Sequence, residues 1–314
     1  MIIMMLNVML MLGTILKGQE RNFEVVEDFN IKPLTTFRIG GIVRYFVRVY
    51  NEEGLVRILG ILNEESIPFF LLGGGSNLLV SDGVIDGLVV IKLEGTFKEV
   101  EVLRGTDDEV FVKVGAGYSL PSFSKFALDN GLSGVEFCIA IPGSFGGGLI
   151  MNAGAHGGEL KDVVKRIRCI TRFGEIVELS NEEAGFSYRS SKLSDYIVLS
   201  AVLSLKKGDK HRIKEKMDEN LIYRANTQPK GFSAGSVFKN PPNNKAWRLI
   251  REVGLAGYRI GDVMFSDKHA NFIINLGNGR SGDVISLMRI AYDRVKSNFG
   301  ITLEPEIKFL GLHF

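Results

Sequence analysis

The sequence predicts an α+β fold spread over about two domains. Three observations carry this. The chain has 314 residues, 45% hydrophobic and 24% charged, which is a globular composition and excludes disorder of the whole chain. Strand-like and helix-like patterns are mixed along it, with no internal repeat. Near Lys206–Asp209 the pattern changes from strands to a charged helix, so a boundary is expected between residues 206 and 207.

Met1–Leu16 is apolar and uncharged. It is shorter than the roughly 20 residues that a bilayer span takes, and it lacks the basic start and small-residue cleavage site of a signal peptide. Met4, Met5, Met9 and Met11 offer later starts, so residues 1–20 are expected to be a start-site extension or a docked helix. Tyr45–Tyr50 then reads as a strand of aromatic and β-branched residues. Glu52–Glu64 carries Leu55, Ile58, Leu59 and Leu62 at helical spacing. Pro68–Leu72 completes a β-α-β unit. Leu88–Ile91, Lys98–Arg104 and Glu109–Val114 read as strands, and Leu120–Asn130 as a helix stopped by Gly131. Arg166–Thr171 and Glu175–Leu179 flank Phe173-Gly174 as a hairpin. Tyr196–Leu205 is a long strand. Asp209–Arg224 is a helix whose charges form a solvated face. Helices Lys245–Val253 and Asp283–Asn298 follow, around the strand Asn271–Asn275.

The charges nearly balance: 38 Lys plus Arg against 36 Asp plus Glu, a net charge of +2. Nothing in that balance calls for nucleic acid or a membrane surface as partner. Cys138 and Cys169 cannot make a disulfide scaffold, and a reduced cytoplasmic setting is expected. His156, His211, His269 and His313 show no metal-ligand spacing. Glycine is the outlier, since roughly half of the 37 glycines fall between Gly73 and Gly158. Such density suits backbone that approaches a ligand closely.

Five segments could carry chemistry. Leu72–Gly83 (LGGGSNLLVSDG) puts three glycines, Ser76 and Asn77 directly after a strand. Backbone N–H groups can converge there on an anion. It is neither a Walker loop nor a GxGxxG turn, and a plain tight loop is the alternative. Gly131–Glu159 holds Pro142, Gly143, Gly146, Gly147 and Gly148, then Asn152, Ala153 and Gly154. Glycine mixed with apolar residues suits a flat ligand such as an isoalloxazine ring. Glu136 reads as a helix or core carboxylate, and Cys138 as an inert buried thiol. Phe186–Lys192 contains Tyr188 and Arg189, with Arg189 either functional or a surface residue. Ser233–Pro242 places Lys239 and Asn240 after Ser236 without the GxSxG of a hydrolase; a lone serine there is usually structural. Leu303–Phe309 sets Glu306 on the strand face opposite Ile307 and Phe309, where ion pairing with solvent-facing charges is the alternative.

In this order TTFRIGG (Thr35–Gly41), LGGGSN, IPGSFGGGLIMNAGA, YRSS, SAGSVFKNP, SDKHANFIIN (Ser266–Asn275) and LEPEI resemble the UDP-N-acetylenolpyruvoylglucosamine reductase family over nearly the whole chain. The short gap from Arg189 to Ser236 is similar to its type II branch. The resemblance implies a vanillyl-alcohol-oxidase-type FAD-binding fold: two α/β subdomains over residues 21–206, divided near residue 95. A C-terminal α+β substrate-binding domain would follow at 207–314. It implies non-covalent FAD, with Arg38, Gly73, Gly74, Gly75, Ser76, Asn77, Gly115, Gly117, Pro142, Gly143, Ser144, Gly146, Gly147, Asn152, Ala153 and Gly154 around it. It implies NADPH as reductant and hydride delivery through the flavin to C3 of an enolpyruvyl group. Arg189 would stabilise the resulting negative charge. Glu306 would assist, best if burial kept it protonated. Ser236 would protonate C2. Tyr188, Arg224, Lys239 and Asn240 would hold the UDP-sugar. A monomer without metal, nucleic acid or membrane partner is expected. Phe145, Leu149-Ile150 and His156 depart from the family pattern and are expected to alter flavin packing. An alcohol or sugar oxidase of the same fold and a non-catalytic nucleotide-binding module are the competing readings.

Overall fold

The computed structural model describes residues 21–106 and 108–314. The extension expected over residues 1–20 lies outside the described residues. The chain forms two compact units, and neither is one continuous stretch. Of the described residues, the first contains 21–27, 45–74 and 87–222; the second contains 28–44, 75–86 and 223–314. The cut falls inside the helix Lys210–Thr227, and two earlier segments group with the C-terminal part. Strand pairing explains one of them, because Leu78–Val80 lies parallel to Lys308–Leu310.

The first unit holds most of a four-stranded sheet in the order Phe23–Asn30, Ile42–Val49, Val84–Leu93, Phe69–Leu71. The expected β-α-β unit is present, but its two strands are not neighbours. Val84–Leu93 lies between them, with Phe69–Leu71 parallel to it. Val89, Val90 and Ile91 are buried without alternation, as a central strand requires. Asn51 caps the intervening helix, Glu52–Glu64, by accepting the Gly54 N–H at 2.9 Å, and Leu55, Ile58, Leu59 and Leu62 form its buried stripe.

A second, antiparallel sheet is built around Ile197–Lys207, with Val164–Ile170 on one side and Glu109–Gly115 on the other. The predicted hairpin forms between Val164–Ile170 and Ile176–Ser180. The strand expected over Lys98–Arg104 is broken. Gly95–Lys98 turns as a 3-10 helix and only Val100–Val102 pairs. Ser119 caps the helix Leu120–Asp129, and Gly131 follows it at φ 64°, as predicted. Phe23, Leu55, Val114, Phe123, Ile167 and Leu203 belong to one apolar core. Ile213 and Met217 of Lys210–Thr227 pack with Ile139 and Ala140, leaving most of that helix solvated. Glu136 is a structural carboxylate that accepts from Ser133 Oγ at 2.6 Å and the Gly134 N–H at 3.0 Å. Burial pushes the Cys138 and Cys169 thiols up, Cys169 to about 12, so both are inert as nucleophiles.

The second unit contains a short antiparallel sheet, Arg259–Ile260, Val263–Phe265 and Ile273–Asn275. Helices Ala246–Glu252 and Ser281–Phe299 accompany it, the latter ended by Gly300 at φ 68°. Phe37, Leu79, Val237, Phe265 and Met288 share its core. Among the described residues no helix is long and apolar enough to cross a membrane, and no cluster of His, Cys, Asp and Glu could hold a metal ion.

Candidate active site

The strand Phe69–Leu71 delivers Gly73 and Gly74 to the turn at Gly143–Ser144. A Cβ on Gly74 would lie 2.6 Å from Gly143 Cα, and one on Gly73 would lie 2.7 Å from Ser144 Oγ. At Gly74 two backbones thus approach with no room for a side chain, which explains the glycine there, whereas a side chain at Gly73 would meet only the Ser144 hydroxyl. Ser144 then caps the short helix Phe145–Ile150 through the Gly147 N–H at 3.4 Å.

A cleft of about 470 Å³, counted with its mouth, opens at this meeting. Gly73, Gly117, Ser144, Gly146 and Gly147 wall it, together with Leu71, Ile150 and Val198. Among the described residues Lys92 is its one charged lining residue, and its Nζ donates to Gly73 O at 2.9 Å. Burial pulls the Lys92 pKa down, and Glu94 partly offsets this. Among the described residues the Gly73 and Ser144 N–H groups have no acceptor. The wall is therefore apolar and backbone-rich, with donors and no carboxylate.

Beyond the helix, Asn152 ties three segments together. Its Nδ2 donates to Glu159 Oε2 at 3.0 Å and to Ser187 O at 3.2 Å, and its Oδ1 accepts the Lys161 N–H at 3.2 Å. These three bonds clamp the segments around Asn152. Ser191 Oγ donates to Ile150 O at 2.9 Å. The Ser187–Ser191 loop is thereby fastened to the helix end. Arg189 sits on that loop at φ 54°, donates to Gly154 O at 3.3 Å, and stacks its guanidinium 5.8 Å from the Tyr188 ring centroid. Phe145 and Leu149 are fully buried, with Phe145 edge-on to Phe123. Ile150 does line the cleft.

In the second unit, Ser236 lies on a segment held between two others. It bridges Phe272 on one side, and on the other the Glu306 N–H donates to Val237 O at 2.9 Å. Asn271 fixes this segment. Its Oδ1 accepts the Phe238 N–H at 3.0 Å and its Nδ2 donates to Phe238 O at 2.8 Å. Glu306 is thus bonded to the residue next to Ser236, on a directly neighbouring extended segment. Asn77 joins them, donating from Nδ2 to Glu306 O at 3.1 Å. Thr36 Oγ1 donates to Ser233 O at 2.7 Å, and Asn275 Nδ2 donates to Phe37 O at 3.0 Å. Those bonds hold the TTFRIGG loop, where Arg38 adopts φ 54° and donates to Pro33 O at 2.6 Å.

The remaining sequence-based candidates are less uniform. Lys239 pairs with exposed Glu304 at 3.3 Å. Asn240 Oδ1 accepts the Ala246 N–H at 3.0 Å, which supports the helix start there. Arg224 is partly buried, and desolvation lowers its pKa. Arg189 belongs to the first unit, Ser236 and Glu306 to the second. Sequence reasoning missed Lys92, Asn271 and Asn275. Lys92 had one visible signal, a lone cation ending the apolar run Leu88–Ile91.

Residues 228–310 match the profile described as UDP-N-acetylenolpyruvoylglucosamine reductase, C-terminal domain, and residues 43–180 match an FAD binding domain. The chain is 44% identical over 284 residues to UDP-N-acetylenolpyruvoylglucosamine reductase 2 of Symbiobacterium thermophilum, covering 90% of each. It is 40% identical to the Rickettsia massiliae reductase, covering 92% of this chain and 97% of that one. The crystal structure of the Thermus caldophilus reductase superposes with a TM-score of 0.77 at 38% identity, over 91% of this chain and 98% of that one. The chain belongs to the UDP-N-acetylenolpyruvoylglucosamine reductase family and is an FAD-dependent oxidoreductase of peptidoglycan precursor synthesis.

Proposed function

We propose that the protein uses NADPH to reduce the enolpyruvyl group of UDP-N-acetylglucosamine-enolpyruvate, giving UDP-N-acetylmuramate. The observation that carries this reading is the backbone bond from the Glu306 N–H to Val237 O, which sets Ser236 and Glu306 on adjacent segments. The residues also fit the cofactor. The cleft at Gly73 and Gly146–Gly147 is walled by backbone without side chains there, and among the described residues its wall offers N–H donors and an ammonium without a carboxylate. Among the described residues no His or Cys lines that cleft.

Bound FAD supplies the hydride transfer between NADPH and the sugar nucleotide. Arg189 holds the substrate carboxylate, over which negative charge spreads once C3 has received hydride. Its stack on Tyr188 and its bond to Gly154 O keep the guanidinium oriented for that task. Ser236 Oγ–H gives a proton to C2. The double bond gains one hydride and one proton, and no group leaves. Glu306 assists as a hydrogen-bonding partner from the neighbouring segment. Tyr188, Arg224, Lys239 and Asn240 hold the nucleotide sugar. Residues 21–206 carry the cofactor along with Tyr188 and Arg189, and 207–314 carry the other substrate contacts. The reading places the protein in the cytoplasm as a monomer.

The test is anaerobic NADPH oxidation by the FAD-loaded protein, with and without the enolpyruvyl sugar nucleotide. Sustained turnover only with the sugar, and a product heavier by two hydrogens, are expected. Turnover that ignores the sugar, or oxidation of a simple alcohol in its place, would refute the reading.

A further inference from the structure

Among the described residues Lys92 is the one charged group lining the glycine-walled cleft, and no proton or hydride step above uses it. Its Nζ spends one of three donors on Gly73 O at 2.9 Å. Among the described residues no carboxylate lies within ion-pair distance of it. Glu94, the acid whose field reaches Lys92, is paired with Lys98, and Arg48, whose positive field also reaches it, is paired with Glu24 at 2.6 Å. A half-buried ammonium with no counter-ion is costly unless an anion arrives. Desolvation lowering its pKa is the same cost seen from the proton's side. The neighbouring Gly73 and Ser144 N–H groups, both in the cleft wall, lack acceptors among the described residues. One cation and two unused backbone donors around a space kept clear by glycine form an anion site.

We infer that Lys92 binds the diphosphate of FAD directly while its bond to Gly73 O holds the glycine run in place. The inference rests on the FAD reading and deepens it, by naming the side chain that supplies charge to a loop otherwise made of backbone. Lys92 is a cofactor-binding residue in this sense, and the adenosine and flavin rings are held by other groups.

The experiment uses the full-length protein stripped of flavin, titrated with FAD, ADP and riboflavin by flavin fluorescence and calorimetry. Lys92→Met keeps the apolar stem and removes the charge; Lys92→Arg keeps the charge. Lys92→Met is expected to weaken FAD and ADP by about 10- to 100-fold, the loss of one charged hydrogen bond, and to leave riboflavin unchanged. Lys92→Arg is expected to stay within a few-fold of wild type for all three. Equal FAD affinity in Lys92→Met and wild type overturns the inference, as does an equal loss for riboflavin, which has no diphosphate. Wild-type protein that binds none of the three overturns the cofactor reading itself, a result distinct from either. Matching thermal unfolding of the stripped variants separates lost binding from lost fold.

Discussion

Replacing Asn271 by alanine tests how Ser236 is held. Asn271 is 3% exposed, and its amide pairs with both the N–H and the C=O of Phe238, at 3.0 and 2.8 Å. Its own carbonyl accepts the Val237 N–H at 2.9 Å and survives the substitution. The amide therefore stands in for a missing strand beside the chain that carries Ser236. Alanine leaves two buried backbone groups unpaired. At about 1–3 kcal/mol for each, the loss is about 2–6 kcal/mol, with the lower figure if water enters. The chain then relaxes where the serine hydroxyl must be aimed, so the sugar half-reaction should slow while NADPH consumption by the bound flavin persists. Asn271→Asp retains the acceptor for the Phe238 N–H but sets an oxygen against the Phe238 carbonyl, and it should also destabilise. Urea unfolding and anaerobic stopped-flow absorbance measure the two effects. An alanine variant with the wild-type unfolding midpoint and the wild-type sugar rate would show that Asn271 positions nothing.

Three further outcomes are expected. Ser236→Ala should leave NADPH-to-flavin reduction nearly intact and slow the sugar half-reaction by about 10² or more, the usual effect of losing a general acid; equal loss in both halves contradicts the assignment. Gly74→Ala drives a Cβ to 2.6 Å from Gly143 Cα, so the two turns must part. A cost of about 1–3 kcal/mol and weaker FAD binding are expected, and unchanged flavin affinity at unchanged stability counts against the close approach. His269 is packed between Trp247 and Phe272, and its buried Nδ1 has no hydrogen-bond partner among the described residues. Burial first, and the Arg251 charge to a lesser degree, lower its pKa. The folded state thus favours the neutral ring. Its stabilising contribution is complete above about pH 6.5, the unfolded value, and is lost progressively below that, down to the lower folded value. Urea midpoints of wild type and His269→Gln between pH 5 and 8 should converge toward acid, and parallel curves contradict this.

Periodicity and caps made much of the fold legible. The helix at Glu52–Glu64 and the hairpin around Gly174 depend on neighbours in sequence, and both form where those neighbours said. Pairing partners were not legible in the same way. Nothing local in Phe69–Leu71 says that its neighbour is Val84–Leu93 rather than Ile42–Val49, because that choice is made by burial of a later apolar run. The glycine clusters announced a close approach, and Gly73–Gly74 meets Gly143–Ser144 as a result. The bonds of Asn152 were not legible: its amide reaches Glu159, Lys161 and Ser187. Only coordinates reveal which of a buried amide's bonds are already taken. Asn271 escaped notice for the same reason, since a side chain that substitutes for a strand has no period.

The parallel pairing of Leu78–Val80 with Lys308–Leu310 has a consequence for biosynthesis. The two strands are separated by about 230 residues, so at about 5–20 residues per second the earlier one waits about 10–50 s on the ribosome for its mate. During that interval three apolar residues present an unpaired edge, a template for any other extended chain. A slower message or a stalled ribosome lengthens this exposure, and a nascent-chain chaperone that covers Leu78–Val80 would shorten it.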